Sequence, residues 1–387
     1  MNQITLSNRI NNVQISKSVE MATAVARLRA SGEKIIGFNI GEADFPPPSY
    51  ILDATKKALD EGNTRYSLVP GEPFLRDAIV EKLKEDQGIN AKRENICVSN
   101  GSKQVLYSLF QLLCNPGDEV IIPCPFWVSF PEAVRLSGGK PVLITSGGEK
   151  LNLEGIKNAI NEKTKAIIIN SPNNPSGYLY PAEELQELVR LCKENNIFLI
   201  SDEAYETLLF NEGQFKGPAA VADQELNNTL IVQSFSKSFC MTGFRVGYVA
   251  GPEEIIKGMI KLQSHLCGNV PVFIQKGALA ALQNRDAMKQ EMLSLFQKRS
   301  ELAFQLCKEI FPETQRTEGA FFIFPKIQKE LLDRFGSDEK LAFHILEEAK
   351  VALLPGSHFG CPGYLRICFS THEQDIEEGF QAIKDCL

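Results

Sequence analysis

The 387-residue sequence holds little that oxidative cross-linking, metal binding or membrane insertion would use. Its ten cysteines stand at 97, 114, 124, 192, 240, 267, 307, 361, 368 and 386 with no C-x-x-C pair, a scatter that suits reduced thiols and offers no disulfide framework. The four histidines, His265, His344, His358 and His372, lack metal-ligand spacing, so no metal dependence is expected. No apolar run approaches the ~18 residues of a membrane span, and the polar start MNQITLSNRINN does not read as a targeting segment. A soluble, cytoplasmic protein is expected. An excess of positive charge is also missing: 41 Lys and Arg against 48 Asp and Glu give −7, which disfavours nucleic-acid and anionic-membrane partners. Neither G-x-x-x-x-G-K-[ST] nor G-x-G-x-x-G occurs, so the common nucleotide loops are excluded. No internal repeat or low-complexity tract is present.

What remains is ordinary globular usage, 43% apolar and 23% charged, in a chain long enough for two domains. Residues 1–50 read as an N-terminal arm with part of a small domain, residues 51–290 as a large α/β domain, and residues 291–387 as a small C-terminal α+β domain. The first segment holds a polar arm, a helix near 19–31 and the apolar KIIGFNIG. From Tyr50 to about residue 250, helical patterns alternate with the short runs EVIIP (119–123), KAIIIN (165–170), IFLIS (197–201), LIVQS (230–234) and VGYVAG (246–251). Alternation of this kind predicts parallel strands joined by crossover helices in a mostly parallel, doubly wound sheet. Residues 284–311 carry an apolar stripe at helical spacing and predict one long helix bridging the domains. GAFFIFP (319–325), VALLP (351–355) and YLRICFS (364–370) read as strands beyond it.

In open α/β sheets, ligands bind beyond the carboxyl ends of the strands. Here KAIIIN runs into SPNNPSG, IFLIS into Asp202-Glu203-Ala204-Tyr205, and LIVQS ends at Ser234 and continues into Phe235-Ser236-Lys237, with Arg245 eight residues later. One crevice can thereby collect an amide, a carboxylate, a phenol, a lysine and an arginine. Taken singly, an N-N-P run is usually only a turn, a strand-end Asp usually a helix cap and a lone Lys usually solvated. Their order and common placement carry the information.

That ordered set resembles the fold-type I pyridoxal-phosphate (PLP) enzymes, specifically the class I/II aminotransferases, across essentially the whole chain. SPNNPSG, SDEAY and SFSKSFCMTGFRVGY match the family's asparagine, aspartate–tyrosine and lysine blocks, and GEADF, YSLVPGEPFLR, NGSKQ, PFWVSFPE, GAFFIF and LRICFS follow the same order. The resemblance implies PLP as cofactor, with Lys237 as covalent anchor and proton carrier, Asp202 paired with the pyridine nitrogen, and Tyr205 and Asn174 on the phenolic oxygen. It further implies a phosphate cup where NGSKQ enters a helix, built from the amides of Ser102 and Lys103 with Ser234 and Arg245. Trp127 corresponds to the ring stacked on the coenzyme. Arg366, with Gly41 and Asn174, corresponds to the clamp on the substrate α-carboxylate. Tyr66 corresponds to a tyrosine that reaches the neighbouring subunit's phosphate, which implies a homodimer with shared active sites.

Substrate preference rests on less. Some bacterial aspartate aminotransferases have a lysine where Lys103 stands, and a cation there favours a substrate with a second carboxylate; the alternative is a lysine pointing to water. The segment QSHLCGNVPVF (263–273), read as a loop, departs from the hydroxyl-rich version of that subgroup, and Ser16-Lys17-Ser18 near the entrance is given no role. The first expectation is transfer of the amino group of aspartate or a related amino acid to 2-oxoglutarate in a ping-pong cycle. A carbon–sulfur β-lyase or an aminotransferase of aromatic or broad preference would keep every coenzyme residue named. A non-catalytic PLP sensor would normally carry an added DNA-binding domain, and Gly41 already belongs to the catalytic set.

Overall fold

Among the described residues the short apolar runs that punctuate the sequence give twelve strands: β1 Ile36–Gly37, β2 Ile96–Ser99, β3 Glu119–Pro123, β4 Lys140–Ile144, β5 Thr164–Asn170, β6 Phe198–Asp202, β7 Thr229–Ser234, β8 Gly247–Ala250, β9 Phe322–Ile323, β10 Val351–Ala352, β11 Leu354–Pro355 and β12 Leu365–Cys368. The computed structural model describes residues 6–13, 18–146, 150–210 and 213–387; Ser16 and Lys17 lie outside them. β2–β8 form a seven-stranded sheet in the order β2-β8-β7-β6-β5-β3-β4.

Side chains alternate across this sheet, so successive residues of one strand serve opposite layers. Val120 and Ile122 join Ile168, Leu230 and Val232 beneath the helices Ser102–Leu113, Ser129–Leu136 and Glu253–Leu266. Ile121, Ile167 and Leu199 instead meet Leu185, Leu188 and Cys192 of the helix Ala182–Glu194. Both faces are therefore dry, which explains why the central strands read as unbroken apolar runs. Burying each such side chain contributes about 1.5–3 kcal/mol before the entropy of ordering is counted.

The sheet departs from the sequence reading in three places. β8, expected parallel, runs antiparallel to both β7 and β2. The Phe235–Val246 connection is taken up by the lysine turn and a 3-10 turn, and holds no crossover helix that would return the chain to the other end of the sheet. β2 and β4 were not anticipated: β2 is short, and β4 is an edge strand carrying Pro141 with partly exposed side chains. The segment read as a loop at 263–273 is mostly helix, since one helix runs to Leu266 and the next begins at Val272.

The expected long helix spans Arg285–Ile310. Beyond it lies a three-stranded antiparallel sheet in the order β11-β12-β9, and the early β1 pairs in parallel with the late β10. This pairing brings the strap of residues 38–45 across to the ends of β6 and β7. Among the described residues no helix is long and apolar enough to cross a membrane.

Candidate active site

β5, β6 and β7 are parallel neighbours, so the polar residues at their carboxyl ends arrive side by side: Asn170 is in register with Asp202, and Asp202 with Val232, two residues before Ser234. They open onto a cavity of about 430 Å³ that is also lined by Gly41, Glu42, Ser102, Lys103, Trp127, Asn174, Tyr205, Ser236, Lys237, Thr242, Arg245 and Arg366. Of the candidates read from sequence, Tyr66 alone stands apart. It is 99% exposed, on the outside of this chain.

Asp202 is the buried carboxyl at the end of β6. Its carboxyl accepts the Ala204 amide at 3.2 Å, and no lysine or arginine pairs with it among the described residues. Burial pushes it up to about 7, with the neighbouring Glu203 adding to the shift. Such a carboxyl is poised to pair with a ring nitrogen carrying a proton.

Lys237 leaves the turn after β7 and donates from Nζ to the Gly41 carbonyl at 2.6 Å. Burial lowers its pKa, against the attraction of Glu42, which raises the share of neutral, nucleophilic amine. Ser234 caps the turn by accepting the Ser236 amide at 3.1 Å, and its own hydroxyl retains a proton to donate.

Asn174 ties two walls together. Its Nδ2 donates to the Tyr205 hydroxyl at 3.5 Å, its Oδ1 accepts from Arg366 Nη1 at 3.1 Å, and its amide donates to Asn170 Oδ1 at 2.7 Å. Tyr205 stands edge-on to the rings of Phe321 and Phe322, so burial raises its pKa and keeps it a phenol. Arg366 also donates from Nη2 to the Asn39 carbonyl at 2.6 Å and lies 4.7 Å from the Phe322 ring centre, which fixes a desolvated guanidinium on one side of the cavity.

The helix Ser102–Leu113 begins at the cavity with Gly101 as its cap, in a left-handed conformation (φ 85°). A Cβ there would lie 2.7 Å from Arg245 Nη2, so only glycine admits the guanidinium this close to the helix start. The unbonded amides of the first turn and Arg245 make an anion cradle of the kind a phosphate fits. Lys103 turns toward Trp127, its Nζ 5.0 Å from the ring centre, and burial together with Arg245 lowers its pKa. Four cations against two carboxylates give the cavity a positive field that favours an anionic ligand.

Sequence reading passed over Asn170, Glu42, Ser236 and Thr242 as site residues. Asn170 closes KAIIIN and was legible as a strand-end polar residue; its Nδ2 donates to the Asp202 carbonyl at 2.9 Å. Glu42 accepts from the Thr242 hydroxyl, a contact between segments two hundred residues apart that no local pattern announces.

A buried carboxyl with no cation paired to it among the described residues, an amine of lowered pKa in the same cavity, and a glycine-gated anion cradle together fit a phosphorylated pyridine aldehyde. The chain belongs to the class I and II aminotransferases: that family's model matches residues 33–383. It is a transaminase dependent on pyridoxal 5′-phosphate. Among its relatives, a probable aspartate/prephenate aminotransferase of Aquifex aeolicus is 42% identical over 99% of this chain and 98% of its own length. An aspartate aminotransferase of Bacillus subtilis is 40% identical over 98% of both. The solved structure of Thermus thermophilus aspartate aminotransferase with maleate superposes over the full length of both chains with a TM-score of 0.93 at 34% identity.

Proposed function

We propose that this chain moves the amino group of aspartate, or a closely related amino acid, to 2-oxoglutarate, as a cytoplasmic homodimer. The observation that carries the substrate class is the placement of Lys103 beside Trp127 in the cavity that Arg366 also lines. Two cations from different elements, the buried Arg366 and the more exposed Lys103, suit a substrate with two carboxylates, each carboxylate meeting its own positive partner. The relatives named for aspartate, and the Thermus enzyme solved with the dicarboxylate maleate, support this reading. Prephenate, named with aspartate for the Aquifex relative, is itself a dicarboxylic 2-oxo acid and would use the same two cations.

When bound, the coenzyme supplies an aldehyde that takes up the substrate amine and a ring that draws electrons from the substrate Cα. Lys237 Nζ holds the coenzyme covalently and, once released, carries the proton to and from the substrate Cα as a general base and acid. Asp202, itself buried, would keep the ring nitrogen protonated by charge pairing. Tyr205 and Asn174 would donate to the ring's phenolic oxygen. The backbone amides of Ser102 and Lys103, with Ser234 and Arg245, would hold the phosphate, and Tyr66, exposed on its own subunit, would serve the partner's phosphate. Trp127 would pack against the ring. Arg366 holds the substrate α-carboxylate in a two-pronged grip, with Gly41 and Asn174 closing that pocket.

A panel of amino donors with 2-oxoglutarate, oxaloacetate and prephenate as acceptors, repeated on Lys103→Ala, tests the substrate class. A loss of at least about tenfold in kcat/KM confined to dicarboxylic substrates is expected, as one charged hydrogen bond is worth ~1.5–3 kcal/mol. A uniform loss would assign Lys103 to the phosphate instead.

A further inference from the structure

Behind the cavity lies a second buried polar cluster to which the proposed chemistry gives no part. Lys82, from the helix Pro73–Gln87, is 2% exposed and sits 2.9 Å from Glu206 Oε1. The other oxygen of Glu206 accepts the Ser238 hydroxyl at 2.8 Å. Lys82 also donates to Gln233 Oε1 at 2.9 Å, and Gln233 Nε2 donates to Glu203 at 2.8 Å. The members of this cluster alternate along the chain with the cavity residues. Asp202 and Tyr205 line the cavity while Glu203 and Glu206 turn away from it, and Lys237 lines it while Ser238 turns away.

We propose that Lys82, Glu206 and Ser238 form a positioning brace that sets the Lys237 turn against the Asp202–Tyr205 turn. The inference rests on the coenzyme roles assigned above to Lys237 and Asp202. Those two turns leave different strands; the Glu203 amide still donates to the Val232 carbonyl of β7 at 2.8 Å, but among the described residues no backbone hydrogen bond joins the Asp202–Tyr205 turn to the Lys237 turn itself, so their relative placement depends on side chains. Glu206 reaches both, since it follows Tyr205 in sequence and accepts from the residue after Lys237. Burial opposes a charge on Lys82, but the Glu206 carboxylate overrides it and holds the ammonium above its ordinary value. Asp86, at 3.4 Å from Lys82, and Tyr248, which donates to Gln233, also face the cluster, and Arg285, which pairs with Asp86 at 3.5 Å, lines the adjoining pocket with Asp286 and Lys289. On the cavity side Glu42, Cys368, Arg366 and Arg245 act on Lys237. A buried ion pair adds little net stability compared with apolar packing, so its presence here is better accounted for by the geometry it imposes.

The test uses the holoenzyme of Ser238→Ala and Glu206→Gln. In Ser238→Ala, kcat is expected to fall about ten- to a hundredfold, the loss typical of small misplacements of a reacting group, with KM for the amino donor unchanged. In Glu206→Gln, the pH midpoint of the visible absorbance of the lysine-bound coenzyme is expected to fall, because a negative charge is removed while Lys82 stays. Variants with wild-type kcat and an unmoved or raised midpoint but a lowered melting temperature would overturn the proposal and leave the cluster a packing element. Should Glu206→Gln fail to fold, Ser238→Ala alone decides by its kcat. A wild-type protein without visible absorbance would instead strike at the role of Lys237, so the two failures are distinguishable.

Discussion

The Nζ of Lys237 and the carbonyl oxygen of Gly41 lie 2.6 Å apart, a hydrogen bond between residues 196 positions apart in the chain. The reactive amine is thereby held by backbone from the first fifty residues, whose strand β1 is fixed by pairing with the late β10. Lys237→Ala should leave coenzyme bound without covalent attachment and lower turnover by at least about 10³-fold, near the upper range for losing a general acid–base group. Absorbance spectra and single-turnover assays check this, and near-wild-type rates would refute it.

Asp202 makes a prediction for the coenzyme-free protein. Its folded-state value, about 7, lies above the ordinary 3.8, so between those pH values the native state holds a proton that the unfolded state has lost. Its contribution to stability is therefore full below about pH 4, declines by up to ~1.4 kcal/mol per pH unit, and is gone above about pH 7. Melting temperatures across this window should fall more steeply for the wild type than for Asp202→Asn. Equal slopes would contradict the account.

Arg366 is fixed by Asn174 and the Asn39 carbonyl and flanked by Phe322, so a lysine cannot reproduce its fork. Arg366→Ala should raise KM by about 10–100-fold for every amino acid tried, the worth of a charged hydrogen bond, and Arg366→Lys should recover only part of it. Steady-state kinetics over the donor panel decide the matter. A loss limited to dicarboxylic donors would exchange the roles of Arg366 and Lys103.

Gly101 keeps room for Arg245. Gly101→Ala places a methyl 2.7 Å from Arg245 Nη2 and strains a φ of 85°, so coenzyme affinity in titrations of the coenzyme-free protein should weaken by about tenfold or more. Unchanged affinity would remove the cradle from phosphate binding.

The central strands and the residues at their ends were legible because a strand buried on both faces is apolar through its middle, so the polar residues that close it, Asn170, Asp202 and Ser234, stand out. β8 was legible as a strand but not in direction, since direction depends on what fills Phe235–Val246. The Lys237–Gly41 and Thr242–Glu42 contacts join distant segments, and no spacing in the sequence encodes them. Nothing in the sequence marks Lys82; only the fold shows that it is 2% exposed and faces Glu206.

Reduction of the coenzyme-loaded protein with borohydride, followed by peptide mapping, tests the central claim most directly. The account predicts a single labelled peptide carrying the tag on Lys237. A tag on another lysine, Lys103 included, or no stable tag at all, would contradict it.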